Sequence, residues 1–142
     1  MAKPDPALLD ARRYPHSVAI ATRYADLDSN KHINNIAIAA LFEDARVRFV
    51  SAVSSGLVVD RAVMVASFTI DYLSQSHYPE PVELHSAVTR VGRTSLAMVQ
   101  LATQQDRPVA LGSTVMVLTD GARPVPLPAD WVDALERMDL KP

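Results

Sequence analysis

The sequence predicts an α+β roll, a curled antiparallel five-stranded sheet wrapped around one long central helix, with a short helix after it. Three observations lead there. Five stretches alternate apolar and polar side chains with the period of two that marks a half-buried strand. Between the first and the second, one stretch changes to helical spacing and is apolar around most of its girth, so it needs protein on nearly all sides. The breaks between the last four strands are short and turn-like, which favours hairpins and therefore antiparallel neighbours. A sheet long enough to curl and a helix of this kind have one economical arrangement, in which the sheet wraps the helix.

In chain order, Val18, Ile20, Thr22 and Tyr24 alternate with Ala19, Ala21 and Arg23 and define the first strand. A polar loop, residues 25–33, follows. The helix begins at Asn34: Ile36, Ala40, Val47 and Val50 form one stripe, with Ile38, Leu41, Phe42, Ala45, Phe49 and Val53 beside it. Alternation returns at 63–73, 82–91, 94–103 and 109–119, broken by Tyr78-Pro79-Glu80-Pro81, by Gly92-Arg93 and by 104–108 around Asp106. Residues 109–119 are apolar on both faces, so the outer face of the sheet is expected to be covered too, by self-association. Pro124, Pro126 and Pro128 lead into Trp131, Ala134, Leu135 and Met138, whose i, i+3, i+4, i+7 spacing makes one short amphipathic helix. The patterned block, about 17–119, and the tail, 120–142, are read as one domain spanning 1–142.

Composition narrows the functions. A chain of 142 residues has room for about one domain and none for two catalytic ones. With 14 basic and 16 acidic side chains the net charge is −2, which argues against a nucleic-acid partner and requires any anionic ligand to be met locally. The absence of cysteine removes disulfides, thiolate metal sites and cysteine nucleophiles. Charges and two prolines occupy residues 1–13, where a secretory signal would have its apolar run, and no stretch reaches the ~18 apolar residues of a membrane span. A cytoplasmic protein with no membrane partner is expected.

The densest polar cluster, residues 24–35, joins the first strand to the start of the enclosed helix. A helix N-terminus offers unpaired backbone N–H groups and about half a positive charge, so it can hold a carbonyl oxygen as negative charge develops there. A carboxylate just upstream, Asp26 or Asp28, then has a carbonyl to attack or a water to activate. The plainer reading is that both aspartates shape the loop and that Asn34 caps the helix through the N–H of its second or third residue. A calcium loop is disfavoured, because Lys31 and His32 occupy the region where glycine and further oxygen ligands belong. No Gly-x-Ser-x-Gly elbow exists, and neither Ser54, Ser55 nor Ser74 has a partnered base nearby in sequence.

Arg23-Tyr24-x-Asp26-x-Asp28-x-x-x-His32-Ile33-Asn34-Asn35, followed by Leu41-Phe42-Glu43-Asp44-Ala45-Arg46, resembles the signature of the hotdog-fold acyl-CoA thioesterases of the 4-hydroxybenzoyl-CoA thioesterase type. Tyr72, the Tyr78-Pro79-Glu80 turn and Gly92-Arg93-Thr94-Ser95 extend the resemblance over most of the chain. It implies a sheet around a central helix, assembled as a homodimer or homotetramer with active sites at the subunit interface. It also implies catalysis by Asp28 as nucleophile or general base, with the backbone N–H nearest Asn35 polarising the thioester carbonyl. A thioester suits so sparse a site, because the thiolate leaves easily. Lys31 departs from the pattern where a glycine often precedes the histidine. Ile38 and Ala40 depart where aromatic residues are common, which implies a wider or reshaped acyl pocket.

The remaining site expectations are Tyr24, His32 and Asn34 as substrate-binding residues and Arg93 as a basic group for coenzyme A phosphates, in company with Arg90 and Lys31. For His32 a structural hydrogen bond competes with proton transfer. Glu43, the position from which some hotdog thioesterases draw their carboxylate, is read instead as pairing with Arg46 or Arg48 or as pointing into a neighbouring subunit. No metal and no cofactor are expected; acyl-CoA is the expected substrate. The alternatives are a non-catalytic acyl- or CoA-binding hotdog protein and a thioesterase acting on acyl carrier protein.

Overall fold

The computed structural model describes residues 3–54 and 62–142. The elements are β1 (His16–Ile20), α1 (Asn35–Ser54), β2 (Ala62–Tyr72), β3 (Val82–Val91), β4 (Ser95–Gln104), β5 (Arg107–Thr119) and α2 (Ala129–Glu136). All five strands form one antiparallel sheet in the order β1-β3-β4-β5-β2, laid against α1, which is the expected hotdog arrangement.

The first strand is shorter than its alternation predicts. The β1 ladder closes at Ile20 opposite Val82, the first residue of β3. Pro81 and Pro79 precede that residue, and proline has no N–H to carry a ladder onward. Thr22 instead bonds the Glu80 carbonyl at 3.1 Å, and Tyr24–Asp26 coil into a single 3-10 turn.

The inner face of the sheet meets α1 along Ile38, Phe42, Ala45, Phe49 and Val53, all buried. Near the start of the helix these pack with Ile20, Val82, Leu84 and Ala110; near its end Phe49 and Val53 pack with Val88, Met98, Met116 and, from α2, Trp131 and Leu135. Gly112 sits beneath the helix because there is no room for more: a Cβ there would meet the Phe42 ring at 2.8 Å. The stripe Ile36, Ala40, Val47 lies on the opposite side of α1. Ile36 is 84% exposed and Val47 64% in the single chain, so the sheet wraps one side of the helix and leaves the other open.

The outer face of the sheet is covered differently from expectation. Much of the cover comes from the same chain: Leu8, Leu9, Ala11 and Tyr14 around two 3-10 turns, with Leu140 from the tail, pack on Ala87, Val99, Leu101 and Leu111. Those apolar residues lie among prolines and charges without period, so their alignment over the sheet leaves no pattern in sequence.

Beneath that cover His85 bridges Ser17 Oγ (2.7 Å from Nδ1) and Thr103 Oγ1 (2.9 Å from Nε2). Burial lowers its pKa, opposed by the charges of Glu83 and Asp106, and burial likewise lowers that of His16, edge-on to Phe49 at 5.4 Å. Both rings therefore bind protons more readily in the unfolded chain. Their contribution to stability is complete above the ordinary histidine value of about 6.5 and is lost as pH falls below it. Thermal melts are expected to give a Tm that descends below about pH 6.5, and His85→Gln to flatten part of that descent; a level profile in the unaltered protein contradicts the assignment.

Candidate active site

The loop before α1 is built on one aspartate. Asp28 Oδ1 accepts the N–H groups of Asn30 (2.8 Å) and His32 (3.1 Å), while its backbone bonds His32 O and Lys31 N. Leu27 and Ile33 close the base of the loop as an antiparallel bridge. Lys31 turns it with φ 61°, the left-handed region that a glycine enters without penalty, which explains physically what its departure from the family pattern concerns.

Asn34 fastens this loop to the helix. Its Oδ1 accepts Ala37 N–H at 2.7 Å, the third helical residue, and its carbonyl accepts Ile38 N–H. Its own N–H and Nδ2 both donate to the Asp26 carbonyl, at 2.9 and 2.8 Å. The cap satisfies the third and fourth helical N–H groups and leaves those of Asn35 and Ile36 without a partner among the described residues. These two donors stand at the positive end of a 20-residue helix.

Asp28, Asn34, Asn35, Ile36 and Gln75 line one cleft of about 470 Å³. The carboxylate is exposed and its Oδ2 has no hydrogen-bond partner among the described residues. A carboxylate and the N-terminus of a helix lining one cleft can act on a carbonyl lodged between them, one side supplying an electron pair and the other stabilising the oxyanion. A neighbouring cleft of about 250 Å³ shares Asn35 and Gln75 and adds Tyr72, Leu73 and Ser74. Tyr72 donates its hydroxyl to the Asn35 carbonyl at 2.8 Å, and burial raises its pKa, so it remains a donor that pins the first turn of the helix.

The other expected site residues divide. His32 does not line the cleft; its ring lies 5.0 Å from that of His77, edge to face, and Ile33 N–H donates to the Ser76 carbonyl, so the loop rests against residues 76 and 77. Tyr24 is exposed and packs edge-on against Tyr78, 5.9 Å between centroids, across the cis Tyr78–Pro79 bend. Arg93 is not brought to Asp28 within one chain: its carbonyl accepts Leu127 N–H in the hairpin near the far end of α1. Asp26 pairs with Arg23 at 3.0 Å, and Arg48 with Asp44 at 2.7 Å, so Glu43 is not the partner of Arg48. Ser55 lies outside the described residues. Gln75 and the Ile36 amide were not anticipated; Gln75 sits in an aperiodic segment with no motif, whereas Ile36 was hidden because only its backbone takes part.

A third cleft, about 380 Å³, opens between α1 and β2 and is lined by Glu43, Arg46, Val47, Val50, Val63 and Met116 among others. Among the described residues no three His, Asp or Glu side chains gather as a metal site.

The sequence profile of the thioesterase-like superfamily matches residues 22–135, from the loop through the sheet to α2. The chain belongs to that superfamily. It is therefore a thioesterase by family, and solved structures agree. A thioesterase from Thermus thermophilus, complexed with coenzyme A and Zn, is 28% identical over 92% of this chain and 98% of its own, with a TM-score of 0.79. The PA5185 protein from Pseudomonas aeruginosa strain PAO1 is 27% identical over 92% and 95%, with a TM-score of 0.80. BH1999 gentisyl-coenzyme A thioesterase, 14% identical over 84% and 99% with a TM-score of 0.76, shares the fold. No curated protein is similar enough in sequence to count as a match. Among the described residues of this thioesterase no helix is long and apolar enough to cross a membrane.

Proposed function

We propose that this thioesterase hydrolyses acyl-CoA, with Asp28 as nucleophile or general base and the amides of Asn35 and Ile36 as the oxyanion site. The observation that carries the reading is the cleft lined by Asp28 and by Asn35 and Ile36, whose N–H groups have no partner among the described residues. The Thermus thermophilus relative bound to coenzyme A supports the choice of carrier. As a base, Asp28 takes a proton from water, the hydroxide adds to the carbonyl, and the C–S bond breaks to give acid and thiol. As a nucleophile, its oxygen displaces the thiolate to form an anhydride, which water then opens.

The working unit is a homodimer, with the active sites at the subunit interface. The open side of α1, with Ile36 and Val47, and the exposed Met64 and Val65 on the unpaired edge strand β2 support this, since a second copy covers both. Two α1 helices packed antiparallel bring Arg93 of one copy toward the Asn35 end of the other, where it meets coenzyme A phosphates.

Incubation with a panel of acyl- and aroyl-CoAs and a thiol reagent is expected to release CoA, faster than from the matching acyl carrier protein thioesters. Binding of the thioesters without release of thiol defeats the catalytic reading. In single turnover, solvent heavy oxygen recovered in Asp28 identifies attack by the carboxylate; label in the released acid alone favours the base, because water opening an anhydride at its acyl carbonyl gives the same labelling.

A further inference from the structure

The cleft between α1 and β2 differs in chemistry from the one at the helix tip. Its walls include Val47, Val50, Val63 and Met116, and into them α1 sets one cation. Arg46 is 6% exposed, and its guanidinium lies 4.5 Å over the Phe68 ring. Nη1 is buried without a hydrogen-bond partner, and no carboxylate among the described residues stands within ion-pair distance. A cation taken out of water and left unpaired costs several kcal/mol. Burial lowers its pKa, a penalty that the charge of Glu43 on the preceding turn partly offsets. The planar fork of a guanidinium matches a carboxylate through two parallel hydrogen bonds.

The two clefts lie along one helix. Arg46 is eleven residues beyond Asn35, roughly 16 Å along the axis at 1.5 Å per residue, and helical side chains lean back toward the N-terminus. The stripe of Ile36, Ala40, Glu43 and Val47, open in the single chain and facing the second copy in the proposed dimer, runs between them. We propose that the enzyme selects acyl groups whose far end carries a carboxylate, bound by Arg46 while the thioester occupies the helix tip. At about 1.2 Å of advance per extended bond a chain of ten carbons covers roughly 11 Å, and the backward lean of the Arg46 side chain takes up the remaining roughly 5 Å. This rests on the acyl-CoA reading and deepens it.

The test compares the CoA monothioester of a ten-carbon dicarboxylic acid with decanoyl-CoA. The unaltered enzyme is expected to favour the carboxylated substrate in kcat/KM. Arg46→Met is expected to cut that preference about ten- to one-hundredfold, chiefly through KM, as fits loss of one charge-assisted hydrogen-bonded pair. Arg46→Lys keeps part of the preference, Glu43→Gln raises it by removing a like charge near the bound carboxylate, and Arg48→Met, on the surface, leaves it unchanged. Preference for decanoyl-CoA, or a ratio indifferent to Arg46, overturns the proposal. So does an Arg46→Met protein whose only change is a weaker dimer, because the guanidinium then serves the second copy. If neither substrate is turned over, the acyl-CoA reading fails by itself. Calorimetric binding of the two non-hydrolysable thioethers to the unaltered and Glu43→Gln proteins still decides the carboxylate preference.

Discussion

Asp28→Asn is expected to lower kcat by roughly two to three orders of magnitude while the protein keeps its fold and melting temperature. The size follows from the role: an amide neither attacks a thioester nor accepts a proton from water, whereas the oxyanion donors of α1 are untouched and sustain a residual rate. The fold is spared because the oxygen that organises the loop is Oδ1, which accepts from Asn30 and His32, and asparagine retains an oxygen there. Asp28→Ala removes both functions, so it is expected to lose as much rate and some stability as well. Single-turnover kinetics beside thermal melts separate the two effects. An Asp28→Asn enzyme within tenfold of the original rate removes the carboxylate from the chemistry.

The largest effect on stability is expected from Phe42→Ala. The ring is fully buried, packs at 5.8 Å on Phe68, and lies over Gly112, where it leaves no room for a Cβ. Neighbours held in a sheet collapse poorly into the space it leaves, so the loss should be about 3–5 kcal/mol, a large part of the ~5–15 kcal/mol that a domain has in total. In a melt this amounts to a fall in Tm of roughly 10–20 °C. A fall of under about 5 °C means that the helix is anchored elsewhere, with Phe49 and its contacts to α2 the next place to look.

Much of this structure was legible in the sequence because each strand announces itself by alternation and each turn by its residues. The run 82–91 was read with the bounds it has, and Asn34 was read as the cap it is. The first strand was overread because Thr22 and Tyr24 continue the alternation past the point where β3 offers a partner; pairing, not pattern, ends a strand. The long helix concealed more. When a helix is apolar almost all round, its periodicity carries no phase, and nothing in the spacing says which stripe meets the sheet. Phe42 and Phe49 do, whereas Ile36 and Val47 face outward. For the same reason Arg46 stood in the sequence only as a partner for Glu43, interchangeable with Arg48, although the fold buries it over Phe68 and leaves Arg48 at the surface. Asp28 and Asn35 were named from the sequence because a carboxylate and a capped helix start announce themselves, and both line the cleft. Gln75 was not, since it reaches the cleft through the path of an aperiodic connection.

Asn34 carries a last implication. One side chain grips the Asp26 carbonyl and the Ala37 amide together, so the loop that carries Asp28 and the helix tip are tied to each other. On the proposed mechanism, reaction geometry is thus inherited from folding rather than assembled on each encounter. For an engineer, the portable module is residues 26–37 taken whole: transplanting the aspartate without its clamp would carry the reagent and leave the alignment behind.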